Sequence, residues 1–287
     1  MSKNNLVYCI NPSQYEIFDE RINKPIWYRK VENGKETGSL VAQEMDEINF
    51  PKNPLEFFAP NNVGMLLSVS QRYKDLAWKM YNEKINPKTV NHSYVETEED
   101  KKKFLQQKSI LAADYIELIQ IAVVFSYTAI ESFSNLSIPN EYRYEVKNKS
   151  KGITEIYDKV AIERWVSLSD KLSKILTDVY STKKIETQKF WSNLKSLEKN
   201  RHKIIHQKSI NRTEFYKEYF KEGIFKQIDS AQNVLQFFYD ANSQENKTNP
   251  LWPWSIGKEK SFPIAEFESN NAKVIGNLYE GKKKGKY

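Results

Sequence analysis

The chain has 287 residues, of which 39% are hydrophobic and 28% charged; this is the composition of a folded globular protein, and it excludes wholesale disorder. Its 44 Lys and Arg against 37 Asp and Glu give a net charge of +7, which suits an anionic partner without identifying one. A chain of this length buries about three quarters of the surface it exposes when unfolded, so it needs no metal or disulfide staple. The single cysteine, Cys9, cannot form a bridge within the chain and reads as a small apolar filler. The N-terminal MSKNNLVYCINP lacks the basic-then-apolar build of a signal peptide, and no apolar run reaches about 18 residues. The expectation is a cytoplasmic protein with no membrane contact.

Only nine glycines and ten prolines occur, and long stretches have neither, so helix is the expected main element. The first hundred residues are mixed in character. From Pro25 to Ala42, aromatic and β-branched residues flank Asn33-Gly34, a dipeptide that accepts positive φ and predicts a hairpin. Pro51, Pro54 and Pro60 forbid a continuous helix, after which Asn61-Asn62 caps a helix over VGMLLSVSQRYKDLAWKMYN that Pro87 ends. The acidic residues Glu96, Glu98, Glu99 and Asp100 before Lys101 mark the next helix start, and a domain boundary is placed there. Apolar spacing predicts one long helix over Phe104–Leu136, read as the central helix of a bundle because its apolar middle is too short to span a bilayer. Pro139 stops it, and Asn148 to Gly152 reads as a polar loop. Further helices are expected over ITEIYDKVAIERWVSLSDKLSKILTDVY, KFWSNLKSLEKNRHKIIHQK and EFYKEYFKEGIFKQIDSAQNVLQFFYDA, with Trp165, Trp191, Phe190, Phe125 and Phe133 assigned to packing. The expected organisation is therefore a mixed α/β N-terminal region over 1–100, a helical domain over 101–245 and a C-terminal extension over 246–287. Trp252 and Trp254 in that extension either bind a partner or fold back over an open core edge, and the basic tip GKKKGKY either touches RNA or is disordered.

Two of the three histidines fall within Arg201-His-Lys-Ile-Ile-His206, on a helix whose apolar residues Phe190, Leu194, Leu197, Ile204 and Ile205 face the bundle. At 100° per residue Arg201 and His206 lie about 140° apart, a gap the long arginine side chain can close. The surrounding helix is basic: Lys183, Lys184, Lys189, Lys195, Lys199, Arg201, Lys203 and Lys208 stand against Glu186 and Glu198, an excess of six positive charges. Such a stripe is either an RNA track or a solvated lysine-rich face. His202 and His206 also form a pair four apart, as helical metal ligands do, but the third ligand is missing and Lys203 stands where a catalytic Glu would follow the first histidine.

Arg201 to His206 resembles the HEPN superfamily signature, in which an arginine is followed after four to six residues by a histidine and a polar residue, here His202, comes directly after the arginine. The upstream Ile130-Glu131-Ser132-Phe133-Ser134-Asn135-Leu136-Ser137-Ile138-Pro139 is similar to the exit of that family's long acidic-ended helix, and Glu163 to Leu168 with Lys171-Leu172 is similar to its intervening helix. The likeness covers residues 103 to 240 and implies a mainly α, HEPN-like helical bundle. It further implies a metal-independent endoribonuclease of the toxin or antiphage-defence type, acting without a cofactor as a homodimer with a composite cleft and open to an antitoxin or regulatory protein. In the implied reaction the ribose 2′-OH attacks the neighbouring phosphate. His206 transfers protons, as a side chain that changes charge near neutral pH, and Arg201 holds the phosphate with its planar fork of donors. His202 supports, Glu131 either orients Arg201 or is a plain surface carboxylate, and Lys195, Lys199, Lys203 and Lys208 contact RNA. The alternative is a non-catalytic module that binds nucleotides or protein.

Overall fold

The structure, a computed structural model, describes residues 5–94, 100–148, 152–206, 213–243, 252–257, 262–266 and 272–278. Helix predominates, and the chain divides into two units, Met1–Met65 with Phe238–Tyr287, and Leu66–Phe237. The divisions fall near residues 65 and 238 instead of the expected 100 and 245. The physical reason is that the C-terminal segment pairs with the N-terminal strands and belongs to their unit.

The first unit is built on a mixed sheet. Strands β1 (Asn5–Ile10), β2 (Ile26–Glu32), β3 (Lys35–Ile48) and β4 (Leu55–Phe58) are joined by β7 (Ile264–Glu266) and β8 (Ala272–Leu278), in the order β7-β2-β3-β1-β8 with β4 also on β3. The β2–β3 hairpin turns at Asn33-Gly34 as expected, both residues holding positive φ of 52° and 74°, the combination of a tight primed turn. β1 and β2 each pair antiparallel with β3, whereas β8 runs parallel to β1 and β7 parallel to β2. Those parallel pairs join the two ends of the chain, a non-local event that leaves no local periodicity to read. Val7, Val41, Ala42, Met45, Trp252, Trp254 and Ile256 are buried here, so the two tryptophans of LWPW are core, with Tyr15 stacked 5.8 Å from Trp254 and Tyr239 edge-on to Trp252 at 5.5 Å.

The second unit is helical. Helix α1 (Asn62–Met80) begins where Asn61 Oδ1 accepts the Gly64 amide at 2.7 Å and runs on through a π-helical turn, Tyr81–Ile85. Asp100 caps α2 (Lys101–Ser137) by accepting the Lys102 amide; Glu96, Glu98 and Glu99 lie outside the described residues. Tyr115, Ile119, Ala122, Val123, Tyr127, Ile130 and Phe133 form the buried stripe of α2, recurring at three- and four-residue steps. Contrary to the sequence expectation, α2 is long and apolar enough to cross a membrane by length and composition. Serine, threonine, alanine and glutamine interleave its large apolar residues without adding charge, so its mean hydropathy stays high where no unbroken apolar run exists, as it also does in the core helix of a bundle.

Residues expected to be helical form β6 (Ile153–Tyr157), paired antiparallel with β5 (Tyr144–Asn148). Ile153, Thr154, Ile156 and Tyr157 have the β-branched and aromatic character that suits a strand, and Tyr144 and Tyr157 stack across the pair at 6.5 Å. There follow α3 (Lys159–Trp165), α4 (Leu168–Asp170), a π-helical turn (Lys171–Ile175) and α5 (Leu176–Val179). The unit closes with α6 (Trp191–Ile205), a 3₁₀ segment (Glu214–Phe220) and α7 (Gly223–Ser243), the end of α7 belonging to the first unit. Trp165, assigned to packing from sequence, is 69% exposed, because α3 ends at that residue and its last turn presents the indole to solvent beside the Arg164 guanidinium, 5.0 Å from the ring.

Candidate functional site

Leu194 and Leu197 bury one face of α6, and Asn200 continues it inward, donating from Nδ2 to Gln227 Oε1 of α7 at 2.7 Å. Arg201 follows Leu194 and Leu197 at seven and four residues, close to the same stripe. It therefore turns toward α2, where its guanidinium lies 5.0 Å from the centre of the Tyr127 ring. Tyr127 is 7% exposed. Burial first, then the carboxylates of Glu198 and Glu131, push its phenol above the ordinary value, with Arg201 pulling the other way; the hydroxyl is neutral across the physiological range. The Nε of Arg201 is buried and without a hydrogen-bond partner. Among the described residues no carboxylate comes within 4.0 Å of Arg201.

His202 and His206 are both exposed, and their rings lie 4.8 Å apart at 49°. The last turn of α6 fixes this pairing, since the His206 amide donates to the His202 carbonyl at 2.9 Å and His206 closes the helix as its C-terminal cap. The structure thus brings the two imidazoles together and turns Arg201 inward; among the described residues no hydrogen bond joins Arg201 to either imidazole. Glu131 is half-buried, without an ion-pair partner within 4.0 Å among the described residues, and its charge acts on Tyr127 and on Lys171.

The four lysines differ. Lys195 is paired with Glu198 and donates to Ser169 Oγ at 2.7 Å, while Ser169 Oγ donates to Glu198 Oε2 at 3.1 Å, so this cation is already engaged. Lys199 and Lys203 help to hold the Glu218 carboxyl below its ordinary value, behind the larger effect of Lys221, which donates to it at 2.7 Å. Lys208 lies outside the described residues.

Sequence reasoning missed several members of this polar seam. Lys171 is only 2% exposed, and its amine donates to Asn135 Oδ1 at 2.8 Å and to the Glu163 carbonyl at 3.0 Å. Burial lowers its pKa, opposed by Glu131 and Glu163. The available signal was its position at helical spacing among Leu168, Leu172 and Ile175, all buried. Tyr127, Glu131 and Asn135 follow one another at four-residue steps on α2, so a polar line runs beside the apolar stripe. The third histidine, His92, is tied up elsewhere, donating from Nε2 to the Ile85 carbonyl at 2.7 Å.

Among the described residues no group of three or more His, Cys, Asp or Glu side chains is arranged to hold a metal ion. A cavity of about 260 Å³ in the sheet unit is lined by Cys9, Trp27, Ser39 and Val41 among others, but burial raises the Cys9 thiol, which disfavours the reactive thiolate. Comparison of the chain with protein-family models, with curated proteins and with solved structures finds no match.

Proposed function

We propose that the protein is a cytoplasmic, metal-independent endoribonuclease of HEPN-like build whose reacting groups stand on the last turn of α6. The observation that carries this reading is the pair of exposed imidazoles 4.8 Å apart, because cleavage by an internal nucleophile needs two proton transfers, one at the attacking oxygen and one at the leaving oxygen. One imidazole takes the proton of the ribose 2′-OH as its oxygen attacks phosphorus; the other gives a proton to the departing 5′-oxygen. A 2′,3′-cyclic phosphate and a 5′-OH result. Arg201 has no carboxylate partner among the described residues, which supports its use on the negative charge that grows on the phosphate oxygens. Lys199 and Lys203 add to the local positive field. A homodimer, a toxin or antiphage-defence role and a controlling antitoxin belong to this reading through the family resemblance.

A second reading, a non-catalytic nucleotide- or protein-binding module, draws support from Arg201 packing on Tyr127 and from the engagement of Lys195 by Glu198. The test is RNA cleavage by the purified chain in chelator, beside Arg201→Ala and His206→Ala. Cleavage that survives chelation and disappears in both variants supports the nuclease; binding without cleavage under all conditions supports the module.

A further inference from the structure

We propose that Tyr127 is the positioning residue for Arg201, presenting its ring face as the platform that aims the guanidinium at the substrate phosphate. The proposal rests on the nuclease reading above, in which Arg201 holds that phosphate. An arginine that binds a transferring phosphate must be fixed in plane and direction before substrate arrives, or the binding energy is spent on ordering it. Elsewhere a carboxylate often does this by a forked ion pair, but such a pair occupies the same donors that the phosphate needs. Arg201 has no carboxylate within 4.0 Å among the described residues, and its guanidinium lies 5.0 Å from the centre of the Tyr127 ring. A π face attracts the cation without taking up its N–H donors in a forked ion pair, so it restrains the side chain and leaves those donors for a ligand.

Three further observations agree. Tyr127 lies on the inner side of α2 and is 7% exposed, which makes the platform rigid and the contact poorly hydrated. The Arg201 Nε is buried without a partner, so no competing hydrogen bond sets the orientation. Glu131, one turn along α2, and Glu198, three residues before Arg201, both act on the Tyr127 phenol. Neither carboxylate forms an ion pair with Arg201 among the described residues.

The test compares wild type, Arg201→Ala, Tyr127→Phe and Tyr127→Leu in steady-state cleavage of a single-stranded RNA in chelator, with circular dichroism to verify folding. Because the ring and not the hydroxyl is the platform, Tyr127→Phe is expected to stay within about twofold of wild type, whereas Tyr127→Leu loses about tenfold or more in kcat with a smaller change in KM. The pH–rate profile is expected to keep its position in both, since neither substitution removes a group assigned to proton transfer. In the Arg201→Ala background the leucine substitution adds no further loss. An independent readout is the NMR signal of the Arg201 Nε–H group in the wild-type protein, expected to be as ordered as the backbone. A motionally averaged Nε–H signal overturns the proposal whether or not the leucine variant folds. So does full activity in Tyr127→Leu when Arg201→Ala is inactive, or a loss in Tyr127→Phe equal to that in Tyr127→Leu. If wild type does not cleave, or Arg201→Ala cleaves as well as wild type, the nuclease reading itself falls and takes the proposal with it.

Discussion

Lys24 is 3% exposed in the sheet unit, with its amine 5.0 Å from the Trp254 ring centre and 5.5 Å from that of Tyr239. Burial lowers its pKa from 10.5 to about 8. The aromatic faces favour the cation but do not replace its lost hydration. The folded chain therefore gives up this proton more readily than the unfolded chain. Below pH 8 both states are protonated and the fold carries the full cost of the buried charge, about 3 kcal/mol from the drop in pKa. Between pH 8 and 10.5 the unfolded state binds the proton and the folded state does not, so stability rises with pH across that window. Integrating from pH 7.5 to 10 gives a gain of about 2 kcal/mol that Lys24→Met lacks. Urea denaturation followed by tryptophan fluorescence, for wild type and Lys24→Met at both pH values, isolates this group because other titrations cancel in the difference. Wild type is expected to gain about 2 kcal/mol on the variant between the two pH values. A difference that stays constant to within about 0.5 kcal/mol would refute the claim that the buried amine titrates inside this window.

Gly257 holds φ +83°, and a Cβ there would lie 2.3 Å from Tyr239 Cζ; Gly257→Ala is expected to destabilise the sheet unit by about 2 kcal/mol or more, and an unchanged melting temperature would contradict the placement of the C-terminal segment. Phe133 is fully buried and stacks on Tyr180 at 6.3 Å, so Phe133→Ala should cost about 3–5 kcal/mol in chemical denaturation, with a cost under about 1 kcal/mol counting against α2 as the central helix. Replacing Lys199 and Lys203 together by Gln should weaken RNA binding and lower the slope of log affinity against log salt by about 2, while Lys195→Gln, whose cation already serves Glu198, should leave the slope nearly unchanged. An equal effect of Lys195→Gln in fluorescence titrations would show that its ion pair opens for RNA.

What could be read from sequence was local. Asn33-Gly34 specifies a turn through its own backbone preferences, and Asn61 with Pro87 bounds a helix for reasons within a few residues of each. The parallel strands β7 and β8 were hidden because their partners lie more than two hundred residues away, and β5–β6 was hidden because a five-residue strand and a short helix share the same apolar content. The length and composition of α2 were misjudged by asking for an unbroken apolar run. In the candidate site, the placement of Arg201, His202 and His206 on one helix was legible, and the inward direction of Arg201 follows from Leu194 and Leu197. Its partner Tyr127 was not legible, because the sequence does not state which turn of α2 meets which turn of α6. Nor does it show that Lys195 is occupied by Glu198 while Lys171 is enclosed with Asn135.

In the proposed nuclease, an RNA 2′-hydroxyl activated at the end of α6 is the nucleophile. The most direct measurement is cleavage in chelator of an oligoribonucleotide cut at a mapped position, beside the same oligonucleotide carrying a single 2′-deoxyribose at that position. The parent is expected to be cut to a 2′,3′-cyclic phosphate and a 5′-OH, and the 2′-deoxy substrate to bind without being cut there. Cleavage of the 2′-deoxy position at a comparable rate, or products ending in a 5′-phosphate, would contradict this mechanism.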